Sequence, residues 1–116
     1  IMLARRGWSG IVLYDRLARL PKSTDESFWA SNERAYNIGL DLRGQKALQQ
    51  LGVWERVAAC TADVQGRIDW VPGGEEPRET NTSKARGYTT KIIQRDRLAG
   101  SLLEAIEDSY ADQISV

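Results

Sequence analysis

The stretch Gly10-Ile11-Val12-Leu13-Tyr14-Asp15 constrains this chain more than any other. An unbroken apolar run, two of its residues β-branched, predicts a short parallel strand covered on both faces. The run ends on an acid. Just upstream, Ile1-Met2-Leu3-Ala4-Arg5-Arg6-Gly7 reads as the tail of a helix, with Gly7 in the left-handed position that stops it. Helix, tight turn, strand and acid form the second half of a βαβ unit that holds a dinucleotide, where the acid accepts hydrogen bonds from the adenosine ribose. In such units the acid follows a glycine-rich phosphate loop by about 20 residues. Counting back from Asp15 puts that loop just ahead of Ile1, and the chain opens on Ile rather than Met. The expectation is a fragment that begins after the first strand and its glycine-rich loop.

Composition narrows the chemistry by exclusion. At 116 residues the chain is one domain at most. A hydrophobic content of 41% supports a core rather than disorder. Lys+Arg and Asp+Glu are 16 each, and no long run of one sign stands out, so nothing points to nucleic acid or an acidic membrane. There is no His, which removes histidine triads and histidine metal sites. Cys60, the single cysteine, makes no internal disulfide or zinc cluster and reads as a small buried thiol. No stretch approaches the roughly 20 apolar residues of a membrane helix. The compartment is not legible.

Along the chain, 16–36 reads as a long polar loop with Pro21 and a Ser/Thr/Asp/Glu run at 23–27. Tyr36 to Leu40 reads as extended. Asp41 is a good N-cap for a helix running through Ala47, Leu48 and Leu51 to Gly52. Gly44 in its first turn costs about 1 kcal/mol against Ala, which suggests a close approach there. A second short helix follows over 53–59. Val64 to Val71 alternates, with Val64, Gly66, Ile68 and Trp70 on one side and Gln65, Arg67 and Asp69 on the other, the pattern of a half-buried strand. Pro72-Gly73-Gly74 is a turn, and 75–86 reads as irregular. Thr89 to Ile93 reads as a strand, and 95–109 as a helix with Leu98, Leu102, Leu103 and Ile106 on one face. Ile114 to Val116 starts one more strand. The four tryptophans, Trp8, Trp29, Trp54 and Trp70, read as packing residues. The order is α/β: a βα winding that leaves for a helix pair and a small antiparallel piece, then returns by a helix to a strand.

Among these residues, Asp15 lies where open α/β sheets bind ligands, or else is a turn or cap residue. Arg95 sits in the first turn of a helix, against the positive end of the dipole. An anion held there would offset that cost, unless the head is simply in water. Arg67, mid-strand on the polar face, can clamp a carboxylate if that face lines a cavity; if it faces water it pairs with Asp69. Gly39 lets backbone approach a flat ligand, or belongs to a plain edge strand.

Together these stretches resemble the flavin-dependent aromatic monooxygenases, and within them the kynurenine 3-monooxygenase branch. Met2-Leu3-Ala4-Arg5-Arg6-Gly7 is similar to the end of the family's first helix, and Val12-Leu13-Tyr14-Asp15 to its second strand with the ribose acid, usually Glu. Arg34-Ala35-Tyr36-Asn37-Ile38-Gly39-Leu40-Asp41-Leu42-Arg43-Gly44, running on to Ala47-Leu48 and Leu51-Gly52, resembles the branch's Arg-Ser-Ile-Asn-Leu-Ala-Leu-Ser-x-Arg-Gly signature. Gly66-Arg67-Ile68 sits where the branch has its substrate-carboxylate arginine. Arg95-Asp96-Arg97-Leu98 is similar to an Arg-x-x-Leu helix start whose arginine contacts the flavin cofactor. The branch's Tyr in a Pro-Tyr-Gly turn has no match in 72–88.

The resemblance implies a partial Rossmann-like FAD-binding domain over 1–116. In it, 1–15 ends the βαβ unit, 36–93 is the helical and antiparallel excursion, and 95–116 is the returning helix. It implies FAD as cofactor, NADPH as reductant, molecular oxygen, and an aromatic, carboxylate-bearing, kynurenine-like substrate. Tyr14, Asp15 and Arg16 would lie along the adenosine, Gly39 would touch the cofactor by its backbone, Arg95 would hold it near the pyrophosphate, and Arg67 would anchor the substrate. No catalytic nucleophile or metal ligand is expected, and the fragment alone is expected to be inactive. A related halogenase or reductase, or a non-catalytic remnant serving as an interaction module, are the alternatives.

Overall fold

The computed structural model describes residues 1–16, 18–31, 36–70, 72–73 and 76–116. Arg34 and Ala35 of the quoted signature, Val71 at the end of the alternating run and Gly74 of the turn lie outside them. The architecture is mixed α/β, in small sheets. Helix α1 (Met2–Arg5) leads to strand β1 (Ile11–Val12), and α2 (Glu26–Ser31) precedes β2 (Asn37–Leu40). Helices α3 (Leu42–Gln50) and α4 (Trp54–Ala58) follow, then β3 (Ala62–Val64), β4 (Arg67–Asp69), β5 (Arg78–Thr80) and α5 (Thr82–Arg86). Strand β6 (Thr90–Gln94) runs directly into α6 (Arg95–Tyr110), and β7 (Ile114–Ser115) ends the series.

Local chemistry sets the clearest boundaries. Asp41 caps α3, its Oδ1 accepting from the Gly44 N–H at 2.9 Å, and Gly52 takes φ +74° just past the helix. Asn81 caps α5 in the same way through the Lys84 N–H, and Gly87 ends it at φ +71°. Gly7, at φ +85°, terminates α1 as its position suggests.

Strand β6 is the centre of an antiparallel sheet in the order β2-β6-β3. Leu40 and Ile93 from this sheet pack with Leu48 of α3, Val53 and Val57 of the α4 region and Ala105 of α6 to form the main core. A smaller cluster joins Ala4, Ile106 and Ile114, and so fastens α1 and β7 to the far end of α6. Strand β7 lies parallel to β1, with Ile11 opposite Ile114 and Val12 opposite Ser115. The returning helix therefore delivers the chain back beside its first strand.

The structure revises several expectations. Strand β1 is short and open rather than covered on both faces: Val12 is 51% and Tyr14 89% exposed. Ile11 packs inward against the smaller cluster, and β7 is the strand's one ladder partner among the described residues. The 16–36 segment is not all loop, because Asp25 caps α2: its Oδ1 accepts from the Phe28 N–H at 3.2 Å, while Trp29 buries its ring. The alternating run is two strands in two sheets, divided at Gly66. A Cβ there would lie 2.0 Å from the Thr80 carbonyl oxygen, so the backbones cross where only glycine fits. Strand β4 pairs antiparallel with β5, which with α5 replaces the expected irregular stretch. Ile68 and Trp70 face solvent, as does Trp8, whereas Trp29 and Trp54 pack inward. Gly44 is not forced by crowding, since an added Cβ meets neighbours at an ordinary 3.6 Å. Cys60 is half-buried, its thiol directed at the Ser23 carbonyl oxygen.

The described residues have a radius of gyration of 17.7 Å and extents of 60 × 32 × 20 Å. A compact globule of this length has a radius near 13 Å. The apolar core is accordingly small, and polar contacts carry much of the tertiary specificity.

Candidate functional site

Segments from opposite ends of the chain close one cleft of about 700 Å³, a size suited to a small molecule. The end of β1 and the turn after it contribute Leu13, Tyr14, Asp15 and Arg16, followed by Arg19 and Leu20. Helix α6 contributes Arg95, Asp96, Ala99, Leu103 and Glu107, and Val116 just past β7 also lines it. The parallel pairing of β1 with β7 makes this possible: it lays the carboxyl end of β1 alongside the helix that precedes β7. Leu13, Leu20, Ala99, Leu103 and Val116 give an apolar surface. Among the described lining residues, Asp15, Asp96 and Glu107 are balanced by Arg16, Arg19 and Arg95.

Arg95 occupies the first turn of α6, and the chain itself supplies its counter-charge. Its Nε donates to Asp96 Oδ1 at 2.8 Å, and this hydrogen bond, with the charge of the carboxylate, raises the guanidinium above its ordinary pKa. Its backbone N–H donates to the Tyr36 carbonyl at 2.8 Å, which satisfies one of the orphan donors at the helix start. Asp96 therefore already offsets the arginine–dipole conflict without a bound anion. Arg19 reaches across from the other wall to pair with Glu107.

That wall is fixed by a buried polar centre. Ser23 is 1% exposed, and its backbone N–H and hydroxyl donate to the two oxygens of Glu104 at 2.6 and 2.9 Å. Arg56 Nη1 donates to Glu104 at 2.9 Å, and its Nη2 pairs with Asp108. The Ser23 carbonyl accepts from Arg97 Nε at 2.7 Å, and Arg97 also pairs with Glu26 of α2. Burial alone would raise the Glu104 pKa. The hydrogen bonds from Ser23 and Arg56 and the arginine's charge outweigh it and leave the carboxyl below its ordinary value.

Of the residues singled out from sequence, Tyr14, Asp15, Arg16 and Arg95 thus meet at one cleft. Gly39 and Arg67 lie elsewhere. Gly39 is mid-strand in β2, opposite Ile92, with room for a Cβ 3.6 Å from Thr90 Cγ2. Arg67 lines a separate, shallower depression with Gly66 and Thr80, and its Nε lies 3.1 Å from Asp69 Oδ2. It has the surface partner that the simpler reading gave it. Sequence reasoning passed over Arg19, Ala99, Leu103 and Glu107 as cleft residues. Arg95, Ala99, Leu103 and Glu107 recur every four positions, a face of α6 that periodicity could have separated from the core face.

Comparison with known proteins gives a matching but partial picture. No family model matches the chain. It is 32% identical over 111 residues to the kynurenine 3-monooxygenase of Stenotrophomonas maltophilia (strain K279a). The match takes in 96% of this chain and 23% of that relative's length. No described helix is long and apolar enough to cross a membrane, and no cluster of metal-ligating side chains occurs among the described residues.

Proposed function

We propose that this chain belongs to the FAD-binding region of a flavin-dependent aromatic monooxygenase. The observation that carries the reading is the convergence of Asp15 and Arg16 from the end of β1 with Arg95 from the start of α6 on one cleft. The similarity to a kynurenine 3-monooxygenase supports it.

The residues fit the adenosine diphosphate half of FAD. The apolar surface from Leu13, Leu20 and Leu103 suits a base, Asp15 is an acceptor for ribose hydroxyls, Tyr14 and Arg16 lie with it along the adenosine, and Arg95 is a donor for phosphate. In this reading the domain spans 1–116 as a partial Rossmann-like unit, with the excursion at 36–93. Bound flavin supplies the oxygen-activating redox chemistry, with NADPH as reductant. The chain's own part is to bind, orient and exclude water. Gly39 is proposed as a backbone contact to the cofactor. Arg67 is proposed to hold the carboxylate of a kynurenine-like aromatic substrate, which requires it to leave Asp69. No side chain of this chain is assigned a catalytic proton or nucleophile.

Reading the native transcript upstream of the Ile1 codon, and assaying the product of the complete reading frame, tests the proposal. A Gly-x-Gly-x-x-Gly motif shortly before Ile1, with NADPH oxidation stimulated by an aromatic amino acid such as kynurenine, is the expected result. Unrelated upstream sequence with no flavin bound would contradict it. A flavoprotein that reduces or halogenates instead would keep the cofactor and overturn the hydroxylase.

A further inference from the structure

The charge balance of the cleft raises a physical problem for any phosphate-bearing ligand. Arg95 is hydrogen-bonded to Asp96, and Arg19 is paired with Glu107. With Arg16 placed along the adenosine, a diphosphate that reaches Arg95 or Arg19 must win that guanidinium from a carboxylate of the chain. The two pairs differ in what this requires. Arg95 and Asp96 are neighbours on one helix and stay close whatever binds. Arg19 and Glu107 sit on facing walls, the 18–20 segment and α6, and their pair ties the walls together. It is also an open pair, with side chains 67% and 33% exposed, and such pairs are weak. A diphosphate carries at least two negative charges against the carboxylate's one and accepts two parallel N–H bonds from a guanidinium. The wall itself does not depend on the pair, because Ser23 is held independently by Glu104 and Arg97.

We propose that Arg19 is a phosphate-contacting residue of this cleft, which exchanges Glu107 for the ligand's phosphate on binding. The inference rests on the nucleotide reading above and adds to it a gate: Glu107 competes with the ligand for Arg19. Glu107 thereby sets the affinity from the opposite wall.

Titration of the complete reading-frame product with ADP and with adenosine tests this. Arg19→Ala weakens ADP about tenfold or more, the scale of one charge-assisted hydrogen bond, and leaves adenosine unchanged. Glu107→Gln tightens ADP by about two- to fivefold, the scale of an exposed ion pair. Added to Arg19→Ala, Glu107→Gln gives no further gain. Arg6→Ala, an exposed arginine outside the cleft lining, leaves ADP binding unchanged and controls for net charge. Unaltered ADP binding by Arg19→Ala, an equal loss for adenosine, or weaker ADP binding by Glu107→Gln each overturns the exchange while leaving the nucleotide reading in place. Failure of the unmodified product to bind ADP or adenosine overturns both.

Discussion

Replacing Glu104 tests whether the Ser23 centre is what holds the cleft wall in place. The carboxylate accepts from the Ser23 N–H, the Ser23 hydroxyl and Arg56. Glu104→Ala leaves two buried donors of Ser23 without their acceptor, at about 1–3 kcal/mol each before any water enters. Arg56 keeps Asp108, so its share of the loss is small. Water reaching the vacated space lowers the sum, and the expected destabilisation is about 2–4 kcal/mol. That is a large part of the roughly 5–15 kcal/mol that stabilises a typical domain. Urea unfolding followed by tryptophan fluorescence measures it, since Trp29 is buried and its indole N–H donates to the Lys22 carbonyl beside this centre. With a urea dependence of about 1–2 kcal/mol per molar, the midpoint falls by about 1–4 M. A loss under about 0.5 kcal/mol at unchanged slope would refute the assignment of this centre as the anchor. So would an equal loss from Glu107→Ala, whose pair is open and worth about 0–1 kcal/mol.

Other expectations follow from the same structure. Because the Glu104 carboxyl is held below its ordinary value of about 4.5, its contribution is complete above that pH and disappears as pH falls through the lower folded value. Urea midpoints of the unmodified protein should therefore fall on acidification below pH 5 more steeply than those of Glu104→Gln. Gly66→Ala should disrupt the β4–β5 crossing, read as faster amide exchange at Ile68 and Glu79, because the Thr80 carbonyl occupies the space of the new methyl. Gly44→Ala should be neutral or stabilising by up to about 1 kcal/mol in thermal unfolding, since its site is roomy and its φ is not positive. Ile93→Ala, at the centre of the main core, should cost about 2–5 kcal/mol by the same urea assay.

Legibility in the sequence followed the range of the forces involved. Asp41, Gly52 and the apolar spacing of α6 act within a turn or two of their own positions, so the helices were readable from them. The Gly66 break depends on the Thr80 backbone passing close by, which no local pattern encodes, and alternation across 64–71 masked it. Helix α2 was missed although Asp25 caps it locally, because the contacts that seat it, Gln94 donating to the Trp29 carbonyl and Arg97 pairing with Glu26, are made across the fold. Strand β1 was read as covered because a run of apolar residues says nothing about which neighbours are there to cover it. At the cleft, Asp15 and Arg95 were legible from strand-end and helix-start chemistry. Arg19 and Glu107 were not, because each is an ordinary surface charge until the β1–β7 pairing brings the two walls together.

The most direct test of the cleft as a cofactor site is equilibrium binding of FAD to the product of the complete reading frame, followed by flavin fluorescence. The account expects saturable binding, weakened by about tenfold or more in both Asp15→Ala and Arg95→Ala, since each removes a hydrogen bond to the ligand with a charged partner. Flavin binding indifferent to both substitutions, or no flavin binding at all, would contradict it.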